Sequence, residues 1–297
     1  MSWRPRCALF ALFAAGMVGA APLELRDDAG TLHRLERPAD RVVALAPHLS
    51  ELVFAAGAGS ALVGRDSWSD HPLAARAATD VGDAFRLDLE RLVTLRPDVV
   101  LAWGGGTPPA TIEKLRELKL RVVVLKPRTL DDPARHLELI GMLTGHGGEG
   151  AAAALRYRNA LVALRARQLG AAPLRVFYQV NEQPLYTVNG RAPLGQVITL
   201  CGGLNPFADL GPLAPVVSEE AVIAADPEVI LSAAGEGGSL ASLRARWGRW
   251  PGLTATRRDA FHALDADLVT RPGPRLPEGA AALCAVLDAE RRALSRR

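Results

Sequence analysis

The 297-residue sequence contains no Gly-x-Ser-x-Gly elbow, no phosphate-binding loop and no His-Glu-x-x-His pair. The usual local signatures of hydrolases, nucleotide enzymes and zinc peptidases are therefore missing. Its six histidines (His33, His48, His71, His136, His146 and His262) lack metal-ligand spacing, which argues against a zinc cage. Gly57-Ala58-Gly59 echoes a dinucleotide fingerprint, but it sits at a helix end where that motif needs a helix start. Lysine is nearly absent, with only Lys114, Lys119 and Lys126, and the arginines are scattered rather than grouped in a stripe. The formal charge of +3 falls to +1 (33 basic against 32 acidic residues) when Arg4 and Arg6 are set aside, so no polyanion or nucleic-acid partner is implied.

What is present describes a packed chain, with 49% hydrophobic and 23% charged residues and a mean hydropathy of +0.10. This length suits about two lobes of roughly 130 residues each. Arg4 and Arg6, the apolar run Cys7 to Val18 and the small residues Val18-Gly19-Ala20 form a secretory signal pattern, with cleavage expected after Ala20 and a periplasmic mature protein. About 14 apolar residues fall short of the roughly 20 that cross a bilayer. Cys201 and Cys284 then remain, an even count in an oxidising compartment; a disulfide is expected, and two buried free thiols are the alternative.

Along the chain, Leu23–Arg26 and Thr31–Leu35 flank the turn Asp27-Asp28-Ala29-Gly30 as a hairpin. Arg41–Ala46 reads as a buried strand ending at Pro47, followed by a helix capped by Ser50, with Glu51 at its positive end and Gly57 as its stop. Helices over Asp88–Leu95 and Ala110–Leu118 alternate with strands over Asp98–Ala102 and Arg121–Leu125, the pattern of a parallel sheet. Glu149–Leu169 reads as one long helix with Leu155, Leu161, Leu164 and Leu169 near one face. Alternation then resumes with Leu174–Gln179, Glu219–Ala225, Val229–Ser232 and a last helix over Glu278–Ala293. Leu89–Leu101 and Glu219–Leu231 repeat one another as helix, proline, acid, strand, with Glu90 matching Glu220 and Pro97 matching Pro227. The expected fold is α/β: two lobes of like topology (21–146 and 171–297) joined by the helix 147–170, clamping a ligand in the cleft between strand ends.

At Arg41-Val-Val-Ala-Leu-Ala-Pro, Ser67-Trp68-Ser69-Asp70-His71-Pro72, Leu89-Glu90-Arg91-Leu92, Pro97–Trp103, Cys201-Gly202-Gly203 and Arg271-Pro272-Gly273-Pro274-Arg275, the chain resembles the helix-linked substrate-binding proteins of ABC importers. Within that family, which carries cobalamin, haem and iron siderophores, it is most similar to the cobalamin-binding branch. The resemblance runs from about Pro22 to the final helix. It implies two Rossmann-like lobes, little hinge closure, no chemistry on the ligand, no resident cofactor, and a monomer that delivers cobalamin or a related corrinoid to membrane permease subunits.

By motif it also implies that Trp68 and Trp103 from the first lobe and Tyr186 from the second line the cleft, where flat apolar walls suit a corrin ring. Asp267 and Arg271 would offer an acceptor and a donor fork to the peripheral amides. Glu90 and Glu220 would meet arginines on two symmetric permease subunits, or alternatively serve only their helix dipoles. Two positions depart from the pattern: Ala84-Phe85 stands where the relatives carry tryptophan, with Phe85 as a substitute, and Ala214 replaces another. His48 takes the place of a small residue, where it could touch the ligand, approach a metal centre, or be a plain loop histidine. Haem or a ferric siderophore remains the rival ligand, and an exported enzyme or metallochaperone the rival class; Trp247 and Trp250 match no pocket motif and read as packing or surface residues.

Overall fold

The computed structural model describes residues 22–234 and 239–296; the signal pattern lies outside them. A hairpin of β1 (Leu23–Arg26) and β2 (Leu32–Leu35) opens the chain. Then come β3 (Val42–Ala44), α1 (Pro47–Ala55), β4 (Leu62–Arg65), β5 (Thr79–Asp80), α2 (Leu89–Thr94), β6 (Val99–Trp103), α3 (Pro109–Glu117) and β7 (Val122–Leu125). Their strands form a parallel sheet in the order β5-β4-β3-β6-β7. Two antiparallel helices, α4 (Asp132–Leu143) and α5 (Gly147–Arg167), lead to the second half. It contains β8 (Leu174–Gln179), β9 (Asn181–Glu182), β10 (Leu185–Tyr186), α6 (Pro193–Leu200), β11 (Gly203–Leu204), α7 (Glu219–Ala225) and β12 (Val229–Ala234). The chain ends with α8 (Leu240–Trp247), α9 (Thr254–Arg258), β13 (Phe261–Asp265), α10 (Ala266–Val269) and α11 (Leu276–Ser295). The second parallel sheet has the order β11-β8-β12-β13, which repeats β4-β3-β6-β7 of the first.

The repeat extends to the backbone. Arg96 and Asp226, the residues before Pro97 and Pro227, both adopt left-handed conformations, with φ of 46° and 42°. A proline disfavours the α region in the residue before it, so each helix is turned out sharply into the next strand.

Each sheet is covered on both faces, and successive strand residues are sorted between them, as the period of two demands. Val42, Ala44, Val99, Leu101, Val176, Tyr178, Val229 and Leu231 point into one apolar core that runs through both lobes and takes in α1, α4, α5 and α11. Val43, Val100, Ala102, Val122 and Val124 face a separate cluster in the first lobe, and Phe177, Ile230, Leu243, Trp247 and Phe261 one in the second. A core shared by both lobes makes wide separation costly, because opening would expose apolar surface at roughly 25 cal/mol per Å².

Three local expectations change. Proline at the first position starts α1 at Pro47, so Ser50 and Glu51 lie buried within the helix and do not cap it. His48 therefore sits in the first turn of α1 rather than in a loop. The inner face of α5 is Gly150, Ala153, Ala154, Tyr157 and Leu164, while Leu155 and Leu169 are exposed. The cause is close helix packing: a Cβ on Gly150 would lie 2.6 Å from the Leu137 carbonyl oxygen and 3.0 Å from the Gly141 Cα.

Candidate functional site

In parallel sheets the loops at the carboxyl ends of strands gather on one edge, where ligands bind. From β3 the chain enters α1 and delivers His48 and Glu51; from β4 it delivers Asp66 and Trp68. The last residue of β6 is Trp103 itself. In the second lobe β8 leads into the β9–β10 hairpin that carries Tyr186, and β13 leads into Asp267 and Arg271.

Backbone–side-chain bonds set the aromatic residues. Asp66 accepts from the Trp68 amide at 2.9 Å and leaves the indole 66% exposed. Asp83 accepts from the amides of Phe85 and Arg86, both at 2.8 Å, and Phe85 at the tip of that turn is 91% exposed. Two large apolar side chains of this exposure on loops at the strand-end edge are candidate ligand contacts. Trp103 is half-buried; its ring lies against the glycine loop that follows, and a Cβ on Gly106 would overlap it. Burial pushes the Asp66 carboxyl up to about 6, reinforced by Asp83 and Asp80.

His48 is buried and packs edge-to-face on Trp103, with centroids 5.1 Å apart at 83°. Burial, reinforced by the neighbouring His136 and Arg271, holds its pKa down to about 3, so the imidazole is neutral at working pH. Its Nε2 has no partner among the described residues. The structure thus places His48 in packing behind Trp103, an arrangement not among the three roles expected for it.

Arg271 reaches across to the first lobe. Its Nη1 donates to Asp70 at 2.8 Å and to Glu51 at 3.3 Å, and its Nη2 pairs with Asp267 at 2.8 Å. Arg275 donates from Nε and Nη2 to the two oxygens of Glu51, at 2.9 and 2.7 Å. Burial pushes the Asp70 carboxyl up, but Arg271 outweighs it and holds the group below the usual carboxylate range. Sequence reasoning assigned no binding role to Glu51, Asp70 or Arg275; partners more than 200 positions apart leave no local signal.

Tyr186 is half-buried and pairs through an isolated antiparallel bridge with Val216, which is exposed. The segment carrying Ala214 lies along β10: the Thr187 amide donates to Pro215 and that of Val217 to Leu185, both at 3.0 Å. Trp247 is buried, stacked edge-to-face on Phe177 and bonded to Gln179, and so is a packing residue, whereas Trp250 is an exposed surface residue beneath Arg249. A cavity of about 580 Å³ lies elsewhere, between the end of α5, α6 and Thr129–Asp131, and contains none of these aromatic residues.

Glu90 and Glu220 occupy the same step of α2 and α7, one residue inside helices capped by Asp88 and Ser218. Both are exposed and without an ion pair among the described residues, while neighbouring Glu219 is bound by Arg246 and Arg249 at 2.8 and 2.6 Å. Cys201 and Cys284 form a disulfide that joins the end of α6 to α11.

The chain matches the periplasmic binding protein family over residues 42–268. It is 35% identical over 254 residues to a vitamin B12-binding protein of Vibrio cholerae serotype O1, covering 84% of this chain and 90% of that one. A vitamin B12-binding protein of Vibrio parahaemolyticus is 32% identical over 263 residues, 88% of this chain and 94% of the other. The crystal structure of the periplasmic vitamin B12-binding protein BtuF of Vibrio cholerae superposes with a TM-score of 0.77 at 33% identity, covering 85% and 98% of the two chains. A periplasmic heme-binding protein from Pseudomonas aeruginosa superposes with a TM-score of 0.72 at 29% identity, covering 83% and 92%. With its two like sheets, shared core and facing strand ends, this chain belongs to the periplasmic binding protein family.

Proposed function

We propose that the protein captures cobalamin, or a closely related corrinoid, between its lobes in the periplasm and hands it to an ABC importer without chemical change. The observation that carries this reading is the set of ordered, exposed aromatic faces at the carboxyl edge of the first sheet, opposite a guanidinium from the second lobe. A corrin needs broad apolar walls and a few polar contacts for its amides, and burying it there leaves few unpaired polar groups. In this reading Trp68, Trp103, Phe85 and Tyr186 form the walls, Asp267 and Arg271 meet the amides, and His48 supports Trp103. The two vitamin B12-binding relatives support the choice of ligand. Haem is less well served, because the imidazole best placed for an iron, His48, is buried beneath Trp103.

The same reading divides the chain into a signal removed after Ala20, lobes at 21–146 and 171–297 and a connector at 147–170, acting as a monomer. Glu90 and Glu220 are its paired contacts to the permease, and their exposure, without an ion pair among the described residues, suits that task. The test is Trp103→Ala, read by quenching of tryptophan fluorescence on adding cyanocobalamin. Affinity is expected to fall at least about tenfold with the unfolding midpoint little changed; unchanged affinity would remove Trp103 from the site.

A further inference from the structure

Arg271 already has three carboxylate partners, and they are not equivalent. Asp70 and Asp267 are 43% and 42% exposed, whereas the Glu51 side chain is 1% exposed and also receives both donors of Arg275. Gly273, between the two arginines, lies directly on α1: a Cβ there would sit 3.1 Å from His48 Cβ and 3.6 Å from Glu51 Oε2. The Arg271–Arg275 loop of one lobe is thus fastened to a buried anion of the other.

Burial decides which partner yields to a ligand. An exposed ion pair is weakened by water and readily exchanged, whereas a buried charge stripped of its partners has no solvent to replace them. A ligand acceptor approaching Arg271 therefore displaces an exposed carboxylate and not Glu51; of the two exposed partners, Asp267 lies four residues from Arg271 in the same lobe, whereas Asp70 reaches it from across the cleft. We propose that Glu51 is a positioning residue that holds Arg271 and Arg275 across the cleft and sets the spacing of the lobes, and that Asp70 is the resident acceptor a ligand replaces on Arg271. This rests on the reading that Arg271 faces the ligand.

The test uses the mature chain with Glu51→Gln, Glu51→Asp and Asp70→Asn, each titrated with cyanocobalamin. The interlobe distance without ligand is measured in parallel from spin labels at Leu118→Cys and Ala245→Cys, exposed sites at the C-terminal end of α3 and on α8. Glu51→Gln is expected to broaden the distance distribution and weaken binding at least tenfold. Glu51→Asp keeps the charge and should recover most of both. Asp70→Asn should tighten binding severalfold with the distribution unchanged. An unaltered distribution and affinity in Glu51→Gln, no recovery in Glu51→Asp, or weaker binding in Asp70→Asn would each overturn the proposal. Absence of cobalamin binding by the unsubstituted chain would instead sink the ligand assignment, and the distance distributions alone would then decide the role of Glu51.

Discussion

The two lobes share a strand order and a helix-proline-strand repeat, yet they secure their outer elements by different means. In the first lobe, the hairpin turn is pinned to β7 and α4 by two acids: buried Asp27 accepts from the Val124 amide at 3.0 Å and pairs with His33, and half-buried Asp28 pairs with His136 of α4 at 2.8 Å. In the second lobe, β11 is only two residues long, and the disulfide beside it ties α6 to α11. The equivalent strands are β4, four residues paired on both sides, and β11, an edge strand paired on one. Where the ladder is too short to hold an edge, a covalent link does so, and that solution suits an exported chain.

The largest effect that would break this comparison is loss of the link. Cys201→Ala with Cys284→Ala releases a constraint spanning 83 positions and should cost about 4.5 kcal/mol by the chain-entropy relation. Guanidinium unfolding should then show the second lobe melting ahead of the first; a single unshifted transition would show that α6 and β11 need no staple. A smaller effect is expected at the hairpin. Burial pushes the Asp28 carboxyl up, but His136, the Lys126 amide and Arg135 outweigh it and bring the pKa to about 2. A folded-state pKa below the unfolded value stabilises above about pH 4, and this contribution is lost as pH falls through 2. Asp28→Asn should therefore lower stability at pH 7 by on the order of 1 kcal/mol and flatten the acid limb of a midpoint-against-pH curve.

Asp66 carries the opposite sign. Its pKa is raised to about 6, so its contribution is most favourable below about pH 4 and declines as pH rises to 6. Asp66→Asn keeps an acceptor for the Trp68 amide and should raise stability near neutral pH by about 1 kcal/mol, measured by thermal unfolding at pH 4 and 7. The smallest effect on the fold belongs to Glu90→Ala with Glu220→Ala, within about 1 kcal/mol because only helix-dipole contacts are lost. Ligand binding should persist while uptake by cells collapses; normal uptake would refute the docking role.

The fold was largely legible because its signals are local. Periodicity located the strands at Val99–Trp103, Leu174–Gln179 and Val229–Ala234 nearly to the residue, and the match of Pro97 with Pro227 foretold two like sheets. The leucines of α5 misled because its packing is set by Gly150, Ala153 and Ala154, whose small size lets α4 approach closely. Helices α4, α6 and α8 and strand β13 carried too little local pattern to be read out. At the candidate site, the sequence read Trp68 after a short strand and Trp103 at a strand end, as the structure has them, whereas Arg271 lies beyond α10. The buried Glu51 was out of reach, since an acid in the first half of a helix looks the same whether it faces water or two arginines from the other lobe.

The central claim is the ligand, and it is tested most directly by isothermal titration of the mature chain with cyanocobalamin, repeated in the presence of excess haemin. Saturable one-to-one binding that haemin does not displace is the predicted result. No heat with cobalamin, together with saturable binding of haemin, would contradict it.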